Sequence, residues 1–458
     1  MTDGETLAMG LNLIIKNLLN MHSRLAAAQT EFAAAHPSLA AAQAEEQPEN
    51  VWQVLTSYRA MLAYAIILMV AVAAIMMLLI VRSARDVKQR EAEKRKREVR
   101  RRFSRLAQLD SEAEKRGKVN QPKYEGDLER FCDDFRNFAA ANMGLYYDIA
   151  TIRAFVASLS VTRLIILQGI SGTGKTSLPY AFGKYVGNEA AIVPVQPSWK
   201  DKTDMLGYYN EFTDSFTETE LLYKLYEANL SGDLFTVVLD EMNIARVEYY
   251  FAEFLSLLEL PDPAARQIEV VSSRRESDPK LLKNGKLLVP ENVWFVGTAN
   301  NDDSTLAISD KVYDRAMVLE LSRRAEPFNA VDPGVARISF ARIDRLFKDA
   351  LEANWLSLAA RKKIEELDAY LIEKFQLTFG NRIMRQTERF VPVYLAAGGS
   401  ETEAIDLILC KKVLRKLENL NPVLVETRAA GLLEKLNALF GEGTMPLCAE
   451  YISRYIRS

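Results

Sequence analysis

The most regular hydrophobic pattern in the chain is an uninterrupted apolar run near its amino end. Residues 60–81 are 22 positions without a charged residue, a glycine or a proline. As a helix this run would be about 33 Å long, enough to cross a hydrocarbon core of roughly 30 Å. A buried helix of a soluble protein usually keeps a polar stripe, and this run has none. The pattern predicts a single transmembrane helix within residues 51–82, preceded by a small helical segment over residues 1–50.

Basic residues follow this apolar run directly. Residues 82–105 contain twelve Lys or Arg and four Asp or Glu. Because basic residues mark the cytoplasmic side of a membrane span, we expect a cell-membrane protein with residues 1–50 outside and the remainder in the cytoplasm. The charged stretch over residues 83–120 predicts a helical stalk, and its basic part is expected to contact anionic membrane lipid.

Short apolar runs alternate with amphipathic stretches between residues 121 and 333. Five runs have the length and composition of strands: 164–168, 191–196, 235–239, 293–298 and 317–321. This alternation predicts an α/β domain in which helices cover a parallel sheet. Asn284-Gly285 predicts a hairpin before the fourth of these strands. Helical spacing throughout residues 334–458 predicts a C-terminal helical lid.

Composition limits the chemistry available to the cytoplasmic part. The two histidines, His22 and His36, both precede the apolar run, so carboxylates must perform any proton transfer after it. Cys132, Cys410 and Cys448 fit no metal-ligand or redox spacing, and we expect them to be buried thiols. From residue 106 onward the chain has 43 basic and 51 acidic residues. Direct nucleic-acid binding without a partner is therefore not expected.

The strongest signal in the sequence is a phosphate-binding loop. The first predicted strand continues into Gly-Ile-Ser-Gly-Thr-Gly-Lys-Thr (169–176), the complete G-x-x-x-x-G-K-[ST] pattern. Backbone N–H groups of such a loop and the amino end of the next helix bind phosphate, Lys175 adds a positive charge, and the Thr176 hydroxyl can bind Mg²⁺. The residues expected to bind nucleotide in this loop are Gly169, Ser171, Gly172, Thr173, Gly174, Lys175 and Thr176.

Polar residues end two further predicted strands. The third strand ends in Asp240-Glu241, where Asp240 would join Thr176 in binding Mg²⁺ and Glu241 would polarise the attacking water. The fourth leads to Asn300, which could position water and the γ-phosphate, or could instead belong to a turn. These residues predict hydrolysis of a nucleoside triphosphate with Mg²⁺ as cofactor, and the choice between ATP and GTP stays open.

The order of these elements resembles an AAA+ ATPase. Three stretches are more specifically similar to the McrB-like branch, the motor subunits of modification-dependent restriction systems. They are Val-Gln-Pro-Ser-Trp (195–199), Leu-Gly-Tyr-Tyr-Asn (206–210) and Leu-Asp-Glu-Met-Asn-Ile-Ala-Arg-Val-Glu-Tyr-Tyr-Phe (239–251). The resemblance covers roughly residues 150–420 and implies a P-loop AAA+ fold, an α/β nucleotide domain (121–333) followed by a helical lid (334–458).

The resemblance also implies roles for four polar residues. Asn300 corresponds to the sensor-1 position, and Arg315 to an arginine finger that reaches the γ-phosphate bound by a neighbouring subunit. Arg382 corresponds to the lid's sensor-2 arginine, with Arg385 as the alternative.

The same resemblance implies a homo-hexameric ring and a separate partner protein. One predicted function is the motor subunit of a McrB-like defence system that works with a separate effector. The alternative is a MoxR-like chaperone that remodels membrane or envelope proteins. A nucleotide-switched scaffold without turnover is disfavoured because Glu241 is present.

Overall fold

The computed structural model describes residues 48–99, 102–115, 124–300, 305–321 and 325–456, with isolated positions between 16 and 34. The chain divides into two units, Met1–Arg95 and Lys96–Ser458. Most of the helical segment expected over residues 1–50 lies outside the described residues.

A long helix, α1 (Pro48–Val99, 52 residues), makes up most of the described part of the amino-terminal unit. Within the described part of the chain, Tyr58–Arg90 is the one stretch long and apolar enough to cross a membrane, with a mean hydropathy of 3.0 over its most apolar window. Its apolar side chains are exposed; Leu68 and Leu78, for example, are 67% and 70% exposed. The helix expected over residues 51–82 is therefore present, and its placement in a membrane stays a prediction.

Residues 102–115 contradict the predicted stalk, because they pack into the core of the α/β domain. Helix α2 (Arg105–Lys115) follows Phe103, which is completely buried. The Arg102 guanidinium forms a bidentate ion pair with Asp278 at 2.8 and 2.7 Å, and both side chains are almost fully buried. A carboxylate oxygen of Glu218 accepts the backbone N–H of Leu106 at 2.8 Å. A stalk that starts at residue 83 therefore ends before residue 102.

Nine strands lie in the described part of the α/β domain. In chain order its elements are α3 (Leu128–Met143), α4 (Ile149–Val161), β1 (Leu164–Gly169), α5 (Ser177–Val186), β2 (Ala191–Pro194), α6 (Lys202–Leu206), β3 (Gly207–Asn210), β4 (Ser215–Glu218), α7 (Glu220–Leu230), β5 (Phe235–Asp240), α8 (Val247–Tyr250), α9 (Ala252–Leu257), β6 (Gln267–Glu269), β7 (Lys286–Leu288), β8 (Val293–Asn300), α10 (Asp310–Tyr313) and β9 (Met317–Glu320). The predicted strands are β1, β2, β5, β8 and β9, and all five are confirmed.

These five strands form one parallel sheet in the order β2-β5-β8-β1-β9. Both faces are buried, as expected for a parallel sheet: Ile165 and Leu167 of β1 join the core on one face, and Leu164 and Ile166 join the core on the other. Because parallel strands end at the same edge, the phosphate loop after β1 and the polar ends of β5 and β8 meet there. Gly169 pairs directly with Asn300.

Two antiparallel hairpins extend from this domain, β3–β4 and β6–β7. Just before β7, Asn284 and Gly285 both have positive φ (54° and 77°), and Lys283 and Lys286 exchange backbone hydrogen bonds across them. This is the two-residue turn that the Asn-Gly pair predicted. The β3–β4 hairpin was not predicted, because its strands have four residues each and carry no continuous apolar run.

The carboxy-terminal region is helical, as predicted. It contains α11 (Phe340–Ala353), α12 (Leu358–Phe375), α13 (Gly380–Ala396), α14 (Glu401–Ile408), α15 (Pro422–Phe440) and α16 (Pro446–Ile456). After α14 the chain continues as a π-helical segment, Leu409–Val413, and a 3₁₀ segment, Leu414–Asn419. These helices share one core with α3 and α4; Phe155 of α4 and Phe390 of α13 are both completely buried in it.

Candidate nucleotide-binding site

The phosphate loop curls because its glycines adopt backbone angles that other residues disfavour. Gly169 and Gly174 have φ of 146° and 89°. A Cβ at Gly169 would lie 2.2 Å from the carbonyl oxygen of Leu321, and a Cβ at Gly174 would lie 3.0 Å from the hydroxyl of Tyr147. Glycine is thus required at both positions by conformation and by space.

Lys175 lies inside the curl of the loop. Its side chain is nearly buried, at 7% exposure, and Nζ donates to the carbonyl oxygens of Gly169 (2.9 Å) and Ile170 (2.7 Å). Helix α5 begins two residues later, so its positive end faces the same space. The loop therefore concentrates positive potential where the sequence predicts phosphate.

Asp240 accepts hydrogen bonds from two threonines at the end of β5. One is donated by the Thr176 hydroxyl at 2.6 Å and the other by the Thr298 hydroxyl at 2.8 Å, both to Oδ1. The predicted pair of Thr176 and Asp240 is thus brought together. Thr298 was missed by sequence reasoning, because its position beside Asp240 depends on the pairing of β5 with β8 rather than on a motif.

Glu241 has a strained backbone. Its φ and ψ are 53° and 47°, a left-handed conformation that is uncommon for a residue other than glycine. Its backbone N–H donates to the Thr298 hydroxyl at 2.8 Å. The Glu241 side chain is exposed to the pocket. Thr298 therefore holds both Asp240, which would bind metal, and Glu241, which would activate water.

Asn300, at the end of β8, is held by a second asparagine. The buried Asn243 donates from Nδ2 to the carbonyl oxygen of Asn300 at 2.9 Å, and its Oδ1 accepts the Asn300 N–H at 3.3 Å. Asn243 also donates to the carbonyl oxygen of Leu306 at 3.3 Å. Asn300 ends a central strand and lines the pocket. Residues 301–304, over which the turn alternative extends, lie outside the described residues.

These residues surround a pocket of about 300 Å³ at the carboxyl edge of the sheet. It is lined by Gly144, Leu145, Tyr146, Tyr147, Ser171, Gly172, Thr173, Gly174, Lys175, Thr176, Ser177, Asp240, Glu241, Thr298 and Asn300. The segment 144–147, which connects α3 to α4, carries no motif and was missed by sequence reasoning. Its Tyr147 hydroxyl donates to the carbonyl oxygen of Gly174 at 3.1 Å, and burial raises the pKa of this hydroxyl, which keeps it a neutral donor.

The donor atoms in this pocket fit Mg²⁺. The Thr176 hydroxyl and the Asp240 carboxylate are adjacent oxygen donors, the type that Mg²⁺ uses when waters and substrate phosphates complete its shell. Among the described residues there is no cluster of three or more His, Cys, Asp or Glu arranged for a metal. The described cysteines are buried and free, as expected.

Arg315 and Arg382 lie apart from this pocket. Arg315 lies two residues before β9 and is therefore at the amino edge of the sheet, opposite the phosphate loop. Both arginines contact Glu259: Nε of Arg315 lies 2.9 Å from Oε2, and Nη2 of Arg382 lies 2.7 Å from Oε1. The chain thus brings the two predicted arginines together on one carboxylate, away from its own pocket.

Glu259 lies in a cleft of about 640 Å³ that is rich in arginine. Its charged lining residues are Arg163, Arg266, Arg315, Arg382, Arg385, Arg389, Glu259 and Glu291. Arg385, the alternative sensor-2 residue, is therefore in the same cleft as Arg382. The cleft and the nucleotide pocket have no lining residue in common, so both arginines lie away from the nucleotide pocket of their own chain in this conformation.

Comparison with curated proteins finds a match to a restriction-enzyme subunit. The type IV methyl-directed restriction enzyme EcoKMcrB subunit of Escherichia coli (strain K12) is 24% identical over 197 residues, or 42% of this chain. The match spans 40% of that relative's own length. No protein-family model matches the sequence.

Two solved structures are similar at low identity. A Cytophaga hutchinsonii protein assigned as an ATPase is 11% identical with a TM-score of 0.43, covering 76% of this chain and 98% of that one. A full-length MCM homologue from Methanopyrus kandleri is 12% identical with a TM-score of 0.37, covering 64% and 63%. Both TM-scores are below 0.5, so neither similarity supports a functional assignment.

The chain's own architecture confirms the predicted fold class. A five-stranded parallel sheet carries the phosphate loop at its carboxyl edge, helices cover both faces, and a helical region follows. The described residues form a phosphate-loop α/β domain followed by a helical region, and one long apolar helix precedes this domain in the chain.

Proposed function

We propose that this protein is a membrane-anchored AAA+ NTPase that hydrolyses ATP or GTP to drive a partner protein. The observation that carries the proposal is the convergence of Lys175, Thr176, Asp240, Glu241 and Asn300 on one pocket. In sequence these residues span more than a hundred positions, and the parallel sheet brings them to a single edge.

The arrangement supports in-line attack of water on the γ-phosphate. Lys175 and the loop N–H groups neutralise the phosphates, and Asn300 orients the γ-phosphate and water. Glu241 accepts the proton of the attacking water. Mg²⁺ held through Thr176 and Asp240 would supply charge to the β- and γ-oxygens when bound.

A ring of identical subunits explains the position of Arg315 and Arg382. Both lie at the edge of the sheet opposite the chain's own phosphate loop. In a closed ring with head-to-tail interfaces, that edge of one subunit can face the pocket of the next. We propose a homo-hexamer in which Arg315 reaches the γ-phosphate of a neighbour as an arginine finger, and Arg382 acts beside it as the sensor-2 residue.

The amino-terminal unit supports membrane anchoring through its exposed apolar surface. Burying one Leu-sized side chain is worth about 1.5–3 kcal/mol, and α1 exposes more than a dozen such side chains to solvent in the absence of lipid. The basic residues that follow fit a cytoplasmic lipid surface. We propose a single-pass cell-membrane protein with its amino terminus outside.

The kind of partner protein is proposed from the similarity of this chain to its curated relative. The curated relative is a restriction-enzyme subunit, so we propose that this chain is the motor of a McrB-like defence system with a separate effector protein. A MoxR-like remodelling ATPase for membrane or envelope proteins is the second candidate, favoured by the described helix α1, which is long and apolar enough to span a membrane.

Mixing of subunits tests the proposed motor. In the full-length protein purified in detergent, Arg315→Ala should lower hydrolysis at least tenfold and leave nucleotide affinity unchanged, because the arginine acts on the neighbour's transition state. Lys175→Ala should not bind nucleotide. In a ring that mixes the two variants, an Arg315→Ala subunit supplies an intact nucleotide pocket, and a neighbouring Lys175→Ala subunit supplies an intact Arg315. Hydrolysis should therefore partly return. Mixed rings without recovery would contradict the assignment of Arg315.

Purification of the same complex with its natural partners separates the two candidate functions. A nuclease partner and hydrolysis stimulated by DNA would support the defence motor. A membrane-protein partner and no effect of DNA would support the remodelling ATPase and refute the defence role.

A further inference from the structure

The segment after α14 contacts the loop that carries Arg315. It consists of the π-helical turn Leu409–Val413 and the 3₁₀ segment Leu414–Asn419. π-Helical turns are rare and frequently lie at functional sites. Here the wider turn places Lys412 toward the domain interior, where its side chain is 3% exposed.

Lys412 binds three carbonyl oxygens around Arg315. Its Nζ donates to the carbonyl oxygens of Tyr313 (2.6 Å), Asp314 (3.2 Å) and Ala316 (2.6 Å). The carbonyl oxygen of Arg315 itself accepts the Thr162 hydroxyl at 3.0 Å. The four consecutive carbonyl oxygens of residues 313–316 therefore all accept hydrogen bonds, and three of these bonds come from the buried Lys412.

An ammonium in this position is costly to bury. Burial lowers the pKa of Lys412 to about 7; Asp314 opposes this shift, and Arg415, Lys416 and Arg382 add to it. A buried charge persists only when its hydrogen-bonding capacity is used, and the three carbonyls use all three N–H groups of Lys412. A neutral residue would pack into the same space at lower cost, so packing alone does not explain a lysine.

Neighbouring side chains reinforce the same loop. Gln386 of α13 donates from Nε2 to the carbonyl oxygen of Asp314 at 3.1 Å, and Lys416 pairs with the Asp314 carboxylate at 3.2 Å. The Arg415 guanidinium lies 3.7 Å from the centre of the Tyr313 ring, whose hydroxyl accepts a hydrogen bond from Gln168, the residue before the phosphate loop. The lid therefore contacts the Arg315 loop at several points.

We propose that Lys412 is a positioning residue for Arg315, holding its backbone so that the guanidinium meets the neighbouring subunit's nucleotide. This inference rests on the proposed role of Arg315. Lys412 touches no substrate; it acts through the loop, and it makes the carboxy-terminal helices part of each intersubunit active site.

Lys412→Met in the full-length protein tests this role. The side chain keeps its length and loses its charge and donors, so the loop can shift. A misplacement of about 1 Å can cost on the order of 100-fold in rate, and we expect kcat to fall about 10- to 100-fold while KM and nucleotide affinity stay unchanged. Mixing with Lys175→Ala subunits should restore part of the activity, because the defect acts on the neighbour. Lys411→Met is the matched control: Lys411 is adjacent, pairs with Glu320 instead, and should leave kcat unchanged.

The results for Lys412→Met and Arg315→Ala together distinguish a failure of this inference from a failure of the proposed function. Normal kcat in Lys412→Met, or a loss that mixing does not restore, would overturn the positioning role even if Arg315→Ala behaves as an arginine finger. If Arg315→Ala shows no effect in trans, both proposals fail. Should Lys412→Met fail to fold, Gln386→Ala removes a less buried contact to the same loop and should lower kcat about threefold to tenfold with unchanged KM. Normal kcat in that variant would equally refute the inference.

Discussion

The hydroxyl of Thr298 connects the metal-binding and water-activating residues, so Thr298→Val should damage both stability and catalysis. The side chain is 2% exposed and makes two hydrogen bonds of 2.8 Å, one donated to the Asp240 carboxylate and one accepted from the Glu241 N–H. A hydrogen bond to a charged group contributes about 1.5–3 kcal/mol and a neutral one about 0.5–1.5 kcal/mol. We expect the free energy of unfolding to fall by about 2–4 kcal/mol.

The catalytic effect follows from the loss of the same two contacts. Removing a group that orients a metal ligand typically costs 10- to 100-fold in metal affinity or activity. Thr298→Val should therefore lower kcat by about that factor and raise the Mg²⁺ concentration needed for half-maximal hydrolysis. Steady-state hydrolysis at several Mg²⁺ concentrations and urea unfolding followed by circular dichroism measure the two effects.

Thr236→Val is the matched control for this prediction. Thr236 is also buried, at 4% exposure, but it pairs with Trp294 near the amino end of β5, away from the pocket. It should lower stability without changing kcat or the Mg²⁺ requirement. The reasoning is refuted if Thr298→Val hydrolyses nucleotide at the wild-type rate with the wild-type Mg²⁺ requirement, or if Thr236→Val is equally impaired.

Three further predictions concern the loop, the membrane and the partner. Gly169→Ala should abolish nucleotide binding, measured by equilibrium dialysis, because its Cβ would lie 2.2 Å from the Leu321 carbonyl oxygen; retained binding would contradict the loop geometry. In intact cells, Ser38→Cys should react with an impermeant thiol reagent and Ser111→Cys should not, since the basic flank predicts a cytoplasmic carboxy-terminal unit; equal protection would contradict this orientation. The purified protein should hydrolyse nucleotide without cleaving plasmid DNA or binding it tightly at physiological salt; cleavage that Lys175→Ala abolishes would refute the need for a separate effector.

Sequence reasoning predicted the parts of the site that follow from local pattern. Strands buried on both faces must be continuously apolar, so the apolar runs of β1, β5 and β8 predicted these strands. The polar residue at the end of each strand could be identified because it interrupts the apolar run. The phosphate loop was predicted because its glycines and lysine occupy consecutive positions. Asp240, Glu241 and Asn300 were then predicted to meet it, since parallel strands end together.

The missed residues depend on contacts that no local pattern encodes. Thr298 and Asn243 were missed because their role depends on the pairing of β5 with β8 and on the turn after β5. The shared contact of Arg315 and Arg382 with Glu259 joins three distant segments. Residues 102–115 were assigned to a stalk because charge dominates their composition, although Phe103 and its apolar neighbours pack into the core.

Nucleotide binding and hydrolysis by Glu241→Gln, compared with wild type and Lys175→Ala, test the central claim that this pocket hydrolyses a triphosphate. With ATP and GTP each supplied with Mg²⁺, wild type should bind and hydrolyse at least one of them. Glu241→Gln should bind that nucleotide with an affinity within about threefold of wild type and hydrolyse it at least roughly 100-fold more slowly, because it keeps the phosphate contacts and loses the base. Lys175→Ala should do neither. Hydrolysis by Glu241→Gln at the wild-type rate, or wild-type nucleotide binding by Lys175→Ala, would contradict the account.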